Sequence, residues 1–431
     1  MDNRVKTAGS AGLLLLSIVG PAAAAGLPPA ATEPPATSLT PVLTSPWTLT
    51  DVGRFWTEID YLSWTVKGDR PPAVTTGAAG TPLAHVGVPG APNTTVLFGD
   101  SAVNDGWRKG ERLQAGYWFD RAQSSGIEAS VFGLENRSSG FHASSSGDPS
   151  LARPSFNSAS NQQDAGQIAY PGVSSGRITV RELSRLFGAG ALYRQNIWSW
   201  GDSRDAPQGP SRRPASNGSS TGAAGTPAND FLSSGHIGVL IGYRYRSASD
   251  RLDISSTQVV GAVSISISDM FGAANNFHGL DLGLTGDFST GRWSLEWRGK
   301  VALGVNLNDA QVNGSTATTT GGVTSVMPGG LLAPSSNIGN TSQIRFVAMP
   351  EFAVKVGYQV ASQWQIVAGY DVMYWPGVPR AGNLVDTSAN PALLPSGGGG
   401  GPPPGPQSSQ ATSNNSSLLA QGFKFGLKFA Y

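Results

Sequence analysis

The residues of this chain that could do chemistry are charges set at alternate positions, opposite apolar side chains. In the stretch 293–308, Ser294, Glu296, Arg298, Lys300, Ala302, Gly304 and Asn306 alternate with Trp293, Leu295, Trp297, Val301, Leu303, Val305 and Leu307. A period of two is a strand with two unlike faces. Three charges on one face and two tryptophans on the other are costly in a sandwich core, but natural in a barrel with a polar interior and an apolar outer band. The same alternation selects the lumen-facing candidates: Glu58, Asp60, Arg112, Asp120, Glu128, Arg194, Arg244, Asp281, Asp287, Glu296, Arg298, Lys300, Arg345, Glu351, Lys355, Asp371, Lys424 and Lys428. Their signs are mixed, which leaves two chemistries open. Either they form an ion-pair network that fills the interior, or they line a narrow solute path.

Other chemistry finds little support. Of four histidines, His85 and His142 lie in loops and His236 and His278 at strand ends. None has the setting of a nucleophile elbow or a zinc helix. With no cysteine there is no thiolate chemistry and no disulfide framework. No calcium-loop pattern occurs. The expectation is therefore a non-enzyme with no catalytic, cofactor-binding or metal-binding residue. A net charge of +1, with 13% charged residues, lacks the basic face that nucleic acid demands.

The elements that must position these charges are strands. Candidates are 54–66, 111–120, 126–135, 177–198, 237–259, 277–290, 293–308, 343–359, 364–375 and 421–431. They alternate with loops rich in Gly, Pro, Ser, Thr and Asn. The last stretch, Q-G-F-K-F-G-L-K-F-A-Y, sets Phe423, Phe425, Leu427, Phe429 and Tyr431 on one face, with Lys424 and Lys428 on the other. It resembles the terminal strand by which outer-membrane barrels are recognised for assembly. Closure pairs it with 54–66, giving Lys424 and Lys428 neighbours in Glu58 and Asp60. Pro350, in mid-strand, removes a ladder donor and predicts a bulge. Trp56, Trp64, Trp198, Trp200, Trp364 and Trp375 lie near strand ends, where aromatic girdles sit.

At the front, Arg4 and Lys6 precede an apolar run from Ala11 to Val19 and the small residues Ala22 to Ala25, the pattern of a secretory signal peptide over residues 1–25. Residues 26–50 read as a disordered Pro/Thr-rich lead-in, and 51–431 as one barrel domain. No stretch is long and apolar enough for a membrane helix, so a membrane-bound form must cross with strands. Ten strands place the short turns near 121–125, 288–292 and 360–363 at one end. The long loops near 67–110, 137–175, 259–276, 309–342 and 377–416 then fall at the other. The insert 199–233 breaks this asymmetry, and twelve strands is the alternative count.

Several separated blocks also carry a family resemblance. D-Y-L-S-W-T-V-K-G-D-R-P-P-A-V-T-T-G (60–77), E-R-L-Q-A-G-Y-W-F-D (111–120) with G-I-E-A-S-V-F-G-L-E (126–135), the run 277–304, G-Y-D-V-M-Y-W-P-G-V-P-R-A-G (369–382) and the closing strand resemble beta-barrel porin family 7 of bacterial outer membranes. The resemblance covers most of 53–431, and it implies location and architecture, not a substrate. The expectation is an all-β, antiparallel transmembrane barrel. Its partners would be outer-membrane lipids and, through the last strand, the barrel assembly machinery. Its role would be a narrow porin for small solutes or a structural envelope component; the alternative is a non-conducting barrel whose external loops bind a surface or partner.

Overall fold

Strands of this composition bury one face and offer the other to an apolar phase, and the ladder that satisfies every backbone group without leaving an edge is a closed one. The computed structural model describes residues 53–77, 82, 85–157, 160–200, 234–389 and 416–431. Ten antiparallel strands form its ring: β1 (Phe55–Val66), β2 (Trp107–Trp118), β3 (Ser125–Leu134), β4 (Ser175–Trp200), β5 (Ser234–Val260), β6 (Val263–Thr290), β7 (Trp293–Thr320), β8 (Gly339–Gln359), β9 (Trp364–Pro376) and β10 (Ser417–Ala430). Each pairs with its neighbours in chain order. The ring closes between β1 and β10, in a register running from Trp56↔Ala430 to Val66↔Ala420. The count is ten and not twelve. Residues 1–52, which include the stretches read as signal peptide (1–25) and lead-in (26–50), and residues 201–233 of the insert read over 199–233, lie outside the described residues. Trp200 and Gly235 flank that insert as a cross-strand pair at the end of the ring that carries the short turns.

Alternation sorts the two faces. Ile59, Leu113, Ile127, Ile241, Leu284, Val301, Phe352, Ile366 and Leu427 are exposed on the outside. Glu58, Asp60, Arg244, Asp281, Lys355 and Lys424 are buried inside. An aromatic chain borders the apolar band at the turn end, through the ring contacts Phe55–Tyr431, Phe429–Tyr431, Trp364–Phe429 and Trp293–Tyr358.

Beyond the band the strands keep going. A membrane crossing needs about 9–11 residues per strand, yet β5, β6 and β7 have 27, 28 and 28. Past Tyr245 the outward positions of β5 turn polar, with Ser247, Ser249, Arg251 and Asp253. Regions read from sequence as loops are thus largely sheet: 259–276 and 309–320 continue the barrel strands, and Val323–Pro328 folds back on β7. The stretch 137–175 contains the strands Arg137–Ser145, Ser150–Asn157 and Gln162–Ala169, whose Ser- and Gly-rich sequence gave no apolar alternation to read. Likewise β2 begins at Trp107, ahead of the expected Glu111.

Pro350 sits in no bulge. Its pairing with Val301 is in continuous register with β7, and on the other side the ladder between β8 and β9 ends at Glu351↔Met373. The missing donor is accommodated by ending one ladder there, not by inserting a residue.

Candidate functional site

Read upward from the turn end, the inward residues form layers. Along β1 these are Trp56, Glu58 and Asp60, then Leu62, Trp64 and Val66. Above Trp56 the charged residues come first and the apolar ones follow, and β3 (Glu128, then Phe132 and Leu134) and β8 (Lys355 and Glu351, then Met349 and Val347) repeat the order.

The lower layer is an ion-pair network among strands distant in sequence. Lys355 donates to Glu58 at 2.7 Å and lies 3.1 Å from Glu296. Arg298 donates to Glu296 at 2.5 Å and to both oxygens of Glu128, while Arg194 pairs with Asp287. Gln114 bridges Glu58 and Asp60 at 3.3 and 3.2 Å. A turn higher, Asp371 holds Arg112 at 2.9 Å and Lys424 at 3.2 Å. Arg244 grips Asp281 bidentately at 2.9 and 2.7 Å, and Glu351 gathers Arg246 and Lys300 at 3.1 and 3.0 Å. Charges taken from water must be paired and hydrogen-bonded, or each costs several kcal/mol. The sheet makes the pairing possible by pointing every second residue of ten strands at one axis. Glycine supplies room: Gly426 lies across from Asp60, and Gly116 from Trp56, where a Cβ would run into the carboxylate and the indole.

Of the sequence-selected residues, Asp120, Arg345 and Lys428 make none of these bonds. Asp120 belongs to the turn after β2, where its carboxylate accepts from the Ser124 backbone N–H at 2.9 Å and the Ser124 hydroxyl at 2.6 Å. It follows the last β2 residue, Trp118, so strand alternation no longer applies to it. Arg345, near the loop end of β8, donates to Gln343 at 2.9 Å. The expected neighbours of the β10 lysines also differ. Lys428 is Glu58's cross-strand partner, but its Nζ stands 5.0 Å over the Trp56 ring, and Glu58's ion pair goes to Lys355. Lys424 pairs with Asp371. Of the residues expected to form an assembly signal, Phe423, Phe425, Leu427 and Phe429 share the outer face of β10, and Tyr431 follows its last residue.

Three tryptophans expected in girdles are inside. Trp56, Trp64 and Trp375 are buried, whereas Trp198 and Trp364 are exposed. Trp200 stands beside Trp198 at the mouth of the turn end. The signal was available, since Trp56 and Trp64 share the parity of Glu58 and Asp60. Leu62, Trp64, Phe132, Phe277, Met349 and Trp375 belong to one apolar cluster that caps the charged layers. Arg112 lies 5.3 Å over Trp64 and Arg246 5.0 Å over Phe132, joining the two.

Above the apolar layer, a segment that is not strand fills the axis. From Gly377 to Val385 the chain after β9 turns inward, with a 3-10 turn at Ala381–Leu384 and with Val378, Arg380, Ala381 and Leu384 buried. Strand side chains clip its backbone. Asn306 and Asn308 donate to the Gly377 carbonyl at 3.0 and 3.1 Å, and Asn275 donates to the Pro379 carbonyl at 3.0 Å. Asp69 accepts from the Gly382 N–H at 2.6 Å. Arg380 donates through Nε and Nη2 to Asp250, and through Nη1 to the Lys67 carbonyl at 2.7 Å. Burial works against the Arg380 charge, but the Asp250 carboxylate holds its pKa above the ordinary value. Burial raises that of Asp69.

Glu182, on β4, is fully buried beside this plug. Burial first, then the charges of Asp69 and Asp250, push its carboxyl up to about 8. Asn104 favours the charged form slightly, but neither Oε1 nor Oε2 makes a hydrogen bond among the described residues.

The open space follows the layers. A vestibule of about 600 Å³ opens at the turn end, with Trp56, Arg194, Glu296, Arg298, Lys355 and Lys428 among its walls. Glu296, Arg298 and Lys355 also line a cavity of about 50 Å³ further in, which ends against Trp64 and Phe132.

This geometry, a ten-stranded ring with a charge-lined interior and an apolar exterior, defines a barrel of the porin-like class. The model of the family described as Putative beta barrel porin-7 matches residues 56–431, and the chain belongs to that family. No curated protein matches. Among solved structures the chain is similar to a Pseudomonas aeruginosa FadL homologue (8% identity, 88% of this chain and 90% of that one, TM-score 0.22). It is also similar to the outer membrane protein OmpT of Vibrio cholerae (8%, 87% and 98%, TM-score 0.14) and to the Ralstonia pickettii toluene transporter TbuX (10%, 89% and 90%, TM-score 0.16). Scores this low add nothing to the barrel traced by the strand registers.

Proposed function

We propose that the protein resides in a bacterial outer membrane and passes small solutes down their gradient, without catalysis, through a lumen narrowed by the apolar layer around Trp64 and Phe132 and closed above it by segment 377–385. The observation that carries this reading is the difference between the two ends of the interior. Among the described residues the turn end is polar, charge-lined and open. Above the apolar layer the loop end is filled by a stretch of connecting chain clipped in by side chains and by the Val378 N–H bond to the Ser416 carbonyl at 3.0 Å, and from Pro379 to Val385 it belongs to no strand ladder. A barrel near eight strands is filled by its own side chains, and here the filling includes a removable part. The apolar band with its aromatic border supports a lipid setting, with the short turns facing the periplasm. The outer face of β10 supports recognition by the assembly machinery.

Liposome swelling tests the reading. Proteoliposomes holding the barrel should swell slowly in small sugars or amino acids, and faster when 378–384 is replaced by a short Gly/Ser link. Equal rates with and without the replacement, at the level of empty liposomes, would remove the transport reading. A second reading, a non-conducting barrel whose external parts bind a surface, draws on the length of β5 to β7 beyond the apolar band and on the exposed Val323 and Val326 at a hairpin tip. It predicts no flux in either protein.

A further inference from the structure

The ion network does not quite balance, and the imbalance faces open space. Lys355, Arg298 and Arg194 each reach a carboxylate: Glu58 and Glu296, Glu128 and Glu296, and Asp287, respectively. Lys428 has no carboxylate within 4.0 Å among the described residues; its ammonium rests on the Trp56 ring. An ammonium held partly out of water without a counter-charge is costly, and a face-on aromatic ring returns only about 0.5–2 kcal/mol of that. Lys428 lines the vestibule of about 600 Å³, together with Arg194, Arg298 and Lys355. The carboxylates on the same wall, Glu296 and Asp287, are already engaged. A guest entering from the turn end therefore meets three cations already paired, with Glu58 and Glu128 behind the wall and Glu296 and Asp287 on it, and a fourth, Lys428, with no carboxylate within 4.0 Å among the described residues.

We propose that the vestibule is a binding site for a small monoanion bearing a carboxylate or phosphate group, with Lys428 as its counter-charge. The group would sit against the Lys428 ammonium on the side away from the Trp56 ring, and Lys355 and Gln365 line the same vestibule. The site does not depend on transport, since a barrel that passes nothing can still bind at this mouth.

The test is titration of the detergent-folded protein with inorganic phosphate and, separately, with acetate. Tryptophan fluorescence and calorimetry are the readouts, with sodium chloride at equal ionic strength as the reference. The expected result is saturable binding of one anion per chain, with a fluorescence change from Trp56. Lys428→Gln should weaken it at least tenfold and Lys428→Arg should retain it. Arg251→Gln removes the same unit of charge at an exposed pair far from the vestibule and should leave binding unchanged. Heat-modifiable migration of each variant shows that it is folded. No saturable signal beyond sodium chloride in the wild type would overturn the proposal. So would equal affinity of a folded Lys428→Gln variant, or equal losses in Lys428→Gln and Arg251→Gln. Saturation by phosphate but not acetate, or the reverse, supports the site and names which group it takes.

Discussion

Replacing Arg380 by alanine should release the plug and leave the barrel standing. The guanidinium makes two hydrogen bonds to Asp250 and one to the Lys67 carbonyl, and it and Asp250 are each almost wholly buried. Removing one member of a buried ion pair costs about 3–5 kcal/mol, because the other charge is left uncompensated. That cost falls on the segment and not on the ring, since no strand ladder passes through Arg380. The opening equilibrium of 378–385 should shift by the same amount. At about 1.4 kcal/mol per decade, this is a 10²- to 10³-fold rise in amide exchange or more. The assay is hydrogen–deuterium exchange with mass spectrometry on the detergent-folded protein, comparing peptides from 378–385 with peptides from β6 and β7. The double variant Arg380→Met/Asp250→Leu, which removes both charges, should recover most of the protection. Exchange in 378–385 within about threefold of wild type, in a folded Arg380→Ala protein, would refute the reasoning; so would a double variant as open as the single one.

Other expectations follow from the same layers. Gly116→Val drives a side chain into the Trp56 indole across the β1–β2 ladder. Overpacking of this kind costs about 1–3 kcal/mol, so the unfolding temperature on gel-shift melting should fall, and an unchanged value would contradict the packing described. Glu182 gives the loop end a pH dependence. Its folded pKa of about 8 lies above the ordinary 4.5, so its contribution is fully present below pH 4.5 and is lost as pH rises through 8. Asp69 shifts in the same direction. Exchange in 378–385 should therefore be faster at pH 9 than at pH 6, after correction for intrinsic rates, and Glu182→Gln should flatten the difference; a profile that does not change in the variant counts against Glu182. Deleting Phe429–Tyr431 removes the Tyr431 N–H bond to the Phe55 carbonyl at 2.8 Å and the ring contacts of Phe429. It should block assembly, seen as loss of heat-modifiable protein from the membrane fraction, and normal heat-modifiable yield would show that the strand end is dispensable.

The fold was largely legible because its signal is local. Alternation in 277–308 or 421–431 needs no partner to be read, and ring closure then fixes β1 beside β10. What alternation cannot supply is which charge meets which. Glu58 meets Lys355 from a strand some 300 positions away because barrel tilt sets the two at one height, a property of all ten registers together. The tryptophans show the opposite case. Position near a strand end suggested girdles for Trp56 and Trp64, while parity with Glu58 and Asp60 put them inside, and parity is the stronger constraint because a one-residue slip reverses every face. The plug was the least legible part. G-V-P-R-A-G-N-L reads as ordinary loop, and only its meeting with Asn275, Asn306, Asn308 and Asp250, inward polar residues above an apolar layer, shows why it folds in.

Single-channel recording in planar bilayers tests the central claim most directly. Wild-type protein should give rare, small stepwise currents, and Arg380→Ala should give steps of the same ion preference with a much higher open fraction. Correctly folded, heat-modifiable protein that gives no steps in either form would contradict a gated pathway and leave a closed structural barrel.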